Sequence, residues 1–231
     1  GVTSSINSIG LAVGIAGAIT IFIFADQFLH TDDFQLKRDR IYEVTNVVNR
    51  NSQTVTLSDV PMALGEALQA DVPGIEKIVR MELGDGAVRV GSTVFSEQLY
   101  FVDTSFFDVF NFPFVEGDAS ALASKKGIVI TQKMASKYFG NKTCLGETVS
   151  IKFSADRVEE FTVTAVVDQP ANNTIYFNFL LPIDVYFDLR QEPVNDWRYL
   201  TDGLFVLMRP GHSGEEMESS LTRLVTLQHE S

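Results

Sequence analysis

The chain has 231 residues, of which 45% are hydrophobic and 11% aromatic. This is enough apolar side chain to build a sizeable core, and it excludes a disordered protein. The formal net charge of −12 argues against nucleic-acid binding, because such binding needs clustered basic side chains facing the phosphates. With one cysteine, Cys144, no internal disulfide can form, so the hydrophobic core must hold the fold.

The first element is an uncharged apolar stretch from Ile9 to Ala25. A helix of this length, extended by its flanking residues, spans a hydrocarbon core of roughly 30 Å. Gly10, Gly14 and Gly17 recur at the small-residue spacing that lets a second membrane helix approach closely. The sequence therefore predicts a transmembrane helix within residues 1–30, in contact with the lipid bilayer and packed through these glycines.

Two alternatives for this stretch stay open. A secretory signal peptide has a basic start and a small-residue cleavage site, whereas no Lys or Arg precedes Lys37 and no such site follows the stretch. A buried core helix also has this length, although bulky side chains on every face suit it poorly. Charge gives no membrane orientation, because too little sequence precedes the helix.

The next elements alternate between strand and helix patterns. A polar, charged stretch up to Arg40 leads into a β-rich run, Ile41–Val48. Ser58 or Asp59 is expected to cap a helix that ends at Val72–Gly74. The apolar face of this helix would carry Pro61, Leu64 and Leu68.

The middle of the chain is richer in strand patterns. Gly91 and Ser92 form a two-residue turn between strands, which predicts a hairpin. Residues 106–112 contain four Phe, which are interpreted as core rather than as an exposed docking surface. Thr131 is expected to cap a helix that ends at Gly140. Further strands are predicted at Ile128–Ile130, Val149–Phe153 and Phe161–Val167.

The last segment resembles the first in pattern. Apolar residues alternate from Ile175 to Leu181, and Leu204–Met208 is a continuous apolar run, so both predict strands. A final amphipathic helix is expected after Ser213. These patterns predict an α+β fold in which a smaller β-rich α/β subdomain is inserted into a larger βαβ subdomain. The expected segments are residues 1–30 for the membrane helix, 31–97 and 174–231 for the larger subdomain, and 98–173 for the insert.

Motifs for catalysis or cofactor binding are not found. The three His residues have no metal-site spacing with Cys or carboxylates, and no Walker phosphate loop or activated-serine motif occurs. His30, Asp32 and Asp33 are interpreted as solvated linker residues rather than as a loose cation site. We therefore expect no catalytic residue, no metal and no cofactor in this chain.

Several stretches, in this order, resemble the MacB-like periplasmic core domain of FtsX-like ABC-transporter permeases. They are Ile9–Ala16, Asp39–Val44, Phe106–Phe110 with Glu116–Asp118, Ile128–Thr131 with Lys137–Gly140 and Leu145–Thr148, and Phe161–Val167 with Pro170. Each is a common structural motif, so the resemblance rests on their order behind a glycine-rich helix. Cys144 stands where the family more often has Pro.

The resemblance implies a function and partners. It implies a domain facing the periplasm from the bacterial inner membrane, with a larger part similar to the porter subdomains of efflux pumps. It also implies an ATPase on a separate subunit or domain, a second permease copy, and a periplasmic adaptor or outer-membrane partner. The residues expected to couple the membrane helix to the domain are Asp39, Arg40 and Tyr42.

Two other functions remain as alternatives. A membrane-anchored sensor would bind a small ligand between the subdomains, and its reading frame would contain a second span leading to a signalling domain. A periplasmic hydrolase would need the catalytic motifs that the sequence lacks. A permease of this family would continue into three further membrane helices.

Overall fold

The computed structural model describes residues 15–22, 31–50, 53–191 and 196–229. Helix α1 covers residues 15–22, where the side chains are exposed. Gly10 and Gly14 lie outside the described residues, and the space around Gly17 is open, with no atom within 4 Å of a Cβ added there. None of the described helices is both long and apolar enough to cross a membrane. The transmembrane helix and its glycine packing stay predictions.

The remaining elements combine strands and helices along the whole described chain. In chain order they are a 3₁₀ helix at Arg38–Arg40, β1 (Ile41–Glu43), β2 (Asn46–Arg50), β3 (Gln53–Leu57), β4 (Val60–Pro61), α2 (Leu64–Asp71), β5 (Ile75–Val90), β6 (Thr93–Val102), α3 (Phe106–Val109), β7 (Phe114–Glu116), a 3₁₀ helix at Ala119–Leu122, β8 (Gly127–Thr131), α4 (Gln132–Phe139), β9 (Thr148–Ser154), β10 (Arg157–Val167), β11 (Phe179–Pro182), α5 (Ile183–Arg190), β12 (Leu200–Thr201), β13 (Gly203–Met208) and α6 (Gly214–His229).

Nine of these strands form one mixed sheet, in the order β1-β13-β5-β6-β11-β8-β10-β7, with β9 paired to both β10 and β5. The pairs β8–β10 and β6–β11 are parallel, and the other pairs are antiparallel. Strands β5, β6, β11, β8, β10 and β9 therefore close a complete circuit of pairings, which leaves no open edge within it. The strands β12–β4 and β2–β3 form two separate small sheets. The α+β fold class is confirmed.

The hairpin and the capped helix predicted from the sequence are confirmed. Val90 pairs with Thr93 across the turn, and Gly91 has a φ of 58°. A positive φ at this position suits glycine because it has no Cβ. The hydroxyl of Thr131 accepts a hydrogen bond from the first turn of α4, and the helix ends at Gly140, where φ is 68°.

The Phe-rich segment is part of the core. Its four rings, Phe106, Phe107, Phe110 and Phe112, are all at least 93% buried. The ring centroid of Phe106 lies 5.0 to 5.9 Å from those of Phe110, Phe112 and Phe177. Phe177 belongs to the segment that follows the predicted insert in sequence. Aromatic pairs at these separations contribute beyond the area they bury.

Three local predictions are wrong. Helix α2 has no side-chain cap, because β4 follows Ser58 and Asp59 and the helix begins only at Leu64, with Ala63 at its N-cap. The hydroxyl of Ser58 donates to Glu43 Oε1 at 2.6 Å. Pro61 lies in β4, where it pairs with Leu200, rather than on the helix. The strand expected from residue 175 begins only at Phe179, where β6 and β8 flank the chain on both sides.

The strands connect the predicted segments closely. Strand β6 runs across the expected boundary at residues 97 and 98, and β11 from the last segment pairs with both β6 and β8. The segments therefore share one sheet, and the division into two subdomains stays a prediction.

Candidate functional site

The candidate site is the segment through which the domain joins the chain that precedes it, residues 31–43, called the junction below. It consists of turns, a 3₁₀ helix and β1. Its own backbone bonds keep it compact: Gln35 donates to Asp32 at 2.9 Å, Arg38 donates to Gln35 at 3.3 Å, and Arg40 donates to Lys37 at 2.9 Å. Asp32 has a φ of 60°, a conformation that Asp tolerates better than most residues.

Asp32 fastens the start of the junction to a distant loop. Its backbone N–H donates to the carbonyl of Asn172 at 3.0 Å. Its carboxylate accepts bonds from both the backbone N–H, at 3.0 Å, and the hydroxyl of Thr174. The junction is therefore held from its second residue onward. The structure uses Asp32 for this attachment, and no group of three or more potential metal ligands occurs within the described ranges.

Gln35 fastens the middle of the junction to the Phe-rich core. Its side chain is 95% buried, and its Oε1 accepts a hydrogen bond from the backbone N–H of Asn111 at 2.6 Å. Beside it, the ring of Phe34 lies 5.5 Å from that of Phe112. Lys37 adds a bond from Nζ to the carbonyl of Asp108 at 2.5 Å. Removing a buried acceptor such as Gln35 Oε1 lowers stability, because the N–H that it satisfied is left without a partner.

Arg40 fastens the end of the junction to the sheet. One guanidinium nitrogen, Nη1, donates to Glu76 Oε2 at 2.9 Å and to the carbonyl of Met208 at 2.6 Å. Glu76 belongs to β5 and Met208 is the last residue of β13, so Arg40 joins two neighbouring strands. The ion pair with Glu76 is partly shielded, because the Arg40 side chain is only 27% exposed.

Tyr42 lies within β1, opposite Val206 of β13. Its half-buried ring packs against the start of α6, where a Cβ added at Gly214 would lie 2.6 Å from the Tyr42 ring. Asp39 differs from both, since its side chain is 94% exposed and lies 3.7 Å from Arg38 Nε. Of the three predicted coupling residues, Arg40 and Tyr42 contact the core and Asp39 does not.

Sequence reasoning missed Asp32, Gln35 and Lys37 as anchors. The hydrophobic pattern is inverted here, because polar Gln35 is buried while its neighbour Leu36 is 84% exposed. No periodicity reveals such a position. Their only signal was proximity to the predicted coupling residues.

The thiol of Cys144 belongs to the one cysteine of the chain. It is buried, and burial raises its pKa, so the reactive thiolate is disfavoured. It packs with the side chains around α4 and β10 as a small apolar group.

Solved structures share this fold. A domain of a candidate permease protein from Porphyromonas gingivalis is 25% identical and superposes with a TM-score of 0.63, covering 82% of this chain and 81% of that one. The periplasmic region of MacB from Actinobacillus actinomycetemcomitans is 18% identical, with a TM-score of 0.60 and 83% of each chain covered. The extracellular domain of the noncanonic ABC-type transporter YknZ from Gram-positive bacteria is 15% identical, with a TM-score of 0.58, covering 83% of this chain and 95% of that one.

The fold is therefore that of the periplasmic and extracellular domains of ABC-type transporters. The family model of the MacB-like periplasmic core domain matches residues 4–224, so the chain belongs to this family. No curated protein shows significant sequence similarity to it. The family is one of permease domains that face the periplasm and are not themselves catalytic.

Proposed function

We propose that this domain couples ATP hydrolysis on a separate nucleotide-binding subunit or domain to export or to mechanical work in the periplasm. It sits at the bacterial inner membrane on the helix predicted within residues 1–30 and acts with a second permease copy. A periplasmic adaptor or outer-membrane protein is a further partner. The proposal is supported by family membership and by the way in which the junction is built.

The observation that carries this proposal is the triple attachment of the junction. Asp32 binds the loop at Thr174, Gln35 binds the Phe-rich core, and Arg40 binds two strands of the sheet. These anchors lie within nine residues of sequence, so displacement of residue 31 moves the sheet and the core together. A loose linker would absorb such a displacement instead.

The test is a flexible Gly-Ser insertion after Asp33 in the full-length permease. It separates the Asp32 anchor from the Gln35 and Arg40 anchors, so we expect loss of complementation in a strain that lacks the permease, with normal folding and membrane insertion. The matched control is the same insertion between Gly91 and Ser92, at the tip of an exposed hairpin where the added residues meet open space.

Full complementation by the Asp33 insertion would contradict coupling through the junction. Loss of complementation by both insertions would show that the domain tolerates no insertion. Interrupted coupling would then have to be rejected as the explanation for the loss caused by the Asp33 insertion. The sensor alternative predicts instead that a small molecule stabilises the domain against heat.

A further inference from the structure

A buried carboxyl group lies in the main sheet, and its residue lines a cavity together with Glu43, Tyr100 and Asp202. Glu82 is in β5 and is only 2% exposed. Its Oε1 atom is buried and has no hydrogen-bond partner among the described residues. Buried carboxylates are normally paired with a cation or fully hydrogen-bonded, so an orphaned oxygen here needs an explanation.

The surroundings of Glu82 combine apolar rings, a second carboxylate and the hydroxyl groups of Thr201 and Tyr186. On β6, Phe101 lies opposite Glu82, and its ring is 5.6 Å from that of Tyr186 in α5. On the other side lies the corner between β12 and β13 (residues 201–203, called the β12–β13 corner), with buried Thr201 and the carboxylate of Asp202. Asp202 Oδ2 accepts a hydrogen bond from the backbone N–H of Leu83 at 2.7 Å, which fastens the corner to β5.

The basic residue on this face of the strand is already engaged. Arg80, two positions before Glu82, makes two bonds to Asp103, from Nε at 3.0 Å and from Nη2 at 2.8 Å. Its other charged neighbours are Glu66 of α2 and Asp184 of α5. The third nitrogen of the guanidinium group, Nη1, is buried without a hydrogen-bond partner among the described residues and lies 3.7 Å from Glu66 Oε1. Arg80 is not among the groups that shift the pKa of Glu82, so it does not neutralise this carboxyl.

This environment favours the protonated carboxyl. Burial, which is the largest cause, and the charge of Asp202 raise the pKa of Glu82, whereas interactions with the Thr201 and Tyr186 side chains and with the Asp202 backbone lower it, and the net pKa is about 7. Because the pKa is higher in the folded state than in the open chain, protonation stabilises the closed arrangement. That stabilisation is complete below about pH 4.5 and is lost as the pH rises to about 7.

We propose that Glu82 is a proton-dependent latch, which holds α5 and the β12–β13 corner on the sheet when it is protonated and loosens both when it ionises. An ionised Glu82 would leave one unpartnered oxygen in a buried site and would place a second negative charge beside Asp202. Both effects act on the corner that leads into β13, the strand that pairs with β1. The latch does not depend on the proposed coupling function.

The test is hydrogen exchange of the α5 amides (Ile183–Arg190) in the 231-residue chain in detergent micelles at pH 5.0 and 7.5, corrected for intrinsic rates. The separation between a pKa of about 7 and the ordinary 4.5 predicts that local opening increases about 50-fold between these pH values. In Glu82→Gln, which cannot ionise, the increase should disappear. The control Glu160→Gln, at an exposed position of β10, should behave as wild type.

A direct titration keeps the proposal testable if Glu82→Gln does not fold. The side-chain carboxyl resonance of Glu82 in the wild-type chain should titrate near pH 7. A titration below pH 5, or an increase in α5 exchange that persists in Glu82→Gln, would overturn the proposal.

Discussion

Replacing Gln35 with Ala tests whether the middle anchor holds the junction on the core. The substitution removes the only side-chain atom shown to accept the Asn111 N–H, which is otherwise directed into a buried site. The remaining anchors at Asp32 and Arg40 are chemically untouched. We therefore expect local release of the junction rather than global unfolding.

The structure gives the size of this effect. Leaving a buried donor unsatisfied costs about 1–3 kcal/mol, which corresponds to a roughly 5- to 150-fold increase in the opening equilibrium of the segment. The bond is short, at 2.6 Å, and Gln35 is 95% buried, so water cannot easily replace the lost acceptor. We place the expected increase in the upper half of this range.

Hydrogen exchange measures this opening directly. The amides of Arg38 and Arg40 donate within the junction and report its release, whereas the amides of β8 report unfolding of the core. Leu36→Ala is the matched control, because Leu36 is the next residue and is 84% exposed, so its exchange should match wild type. Unchanged exchange of the junction in Gln35→Ala, or equal acceleration in β8, would refute the reasoning.

Two further predictions concern the stability of the fold, measured by urea unfolding. Asp103→Ala is expected to lower the free energy of unfolding by about 3–5 kcal/mol, because it leaves the 9% exposed Arg80 side chain without its bidentate partner. The control Asp188→Ala removes an exposed ion pair and should lower the free energy of unfolding by less than about 1 kcal/mol. Equal losses would contradict this ranking. Gly117→Ala should lower the free energy of unfolding clearly more than Gly91→Ala. Both glycines have a positive φ, but a Cβ at Gly117 would lie 2.4 Å from the backbone of β10, whereas a Cβ at Gly91 meets nothing within 4 Å.

The sequence predicts most elements correctly where local chemistry decides them. The turn at Gly91 needs a positive φ, and the cap at Thr131 needs only a hydroxyl three residues before a free N–H. The cap expected at Ser58 or Asp59 is wrong because the next residues form β4, which pairs with β12, and the helix begins only at Leu64. A pairing with a strand so far along the chain does not appear in a pattern of neighbouring residues.

The candidate site is less predictable than the fold. Arg40 and Tyr42 could be proposed from their position after the apolar stretch, but their partners lie far along the chain, at Met208 and Gly214. Gln35 bonds to Asn111, which is 76 residues away. Polar side chains that are buried by tertiary contacts leave no periodic signal, so only the structure identifies them.

The positions of the anchors suggest why the junction is suited to transmitting movement. Gln35 contacts the Phe-rich core on one side of the sheet, whereas Tyr42 packs with α6 in a different cluster of buried side chains. Arg40, between them in sequence, binds the backbone of the strand that separates these clusters. Close-packed interiors deform little and transmit strain, so a displacement that reaches both clusters and the strand between them should move the sheet as a unit. A junction attached to one cluster alone would instead tilt locally, which is why the anchors together with Tyr42, rather than any single residue, define the candidate coupling site.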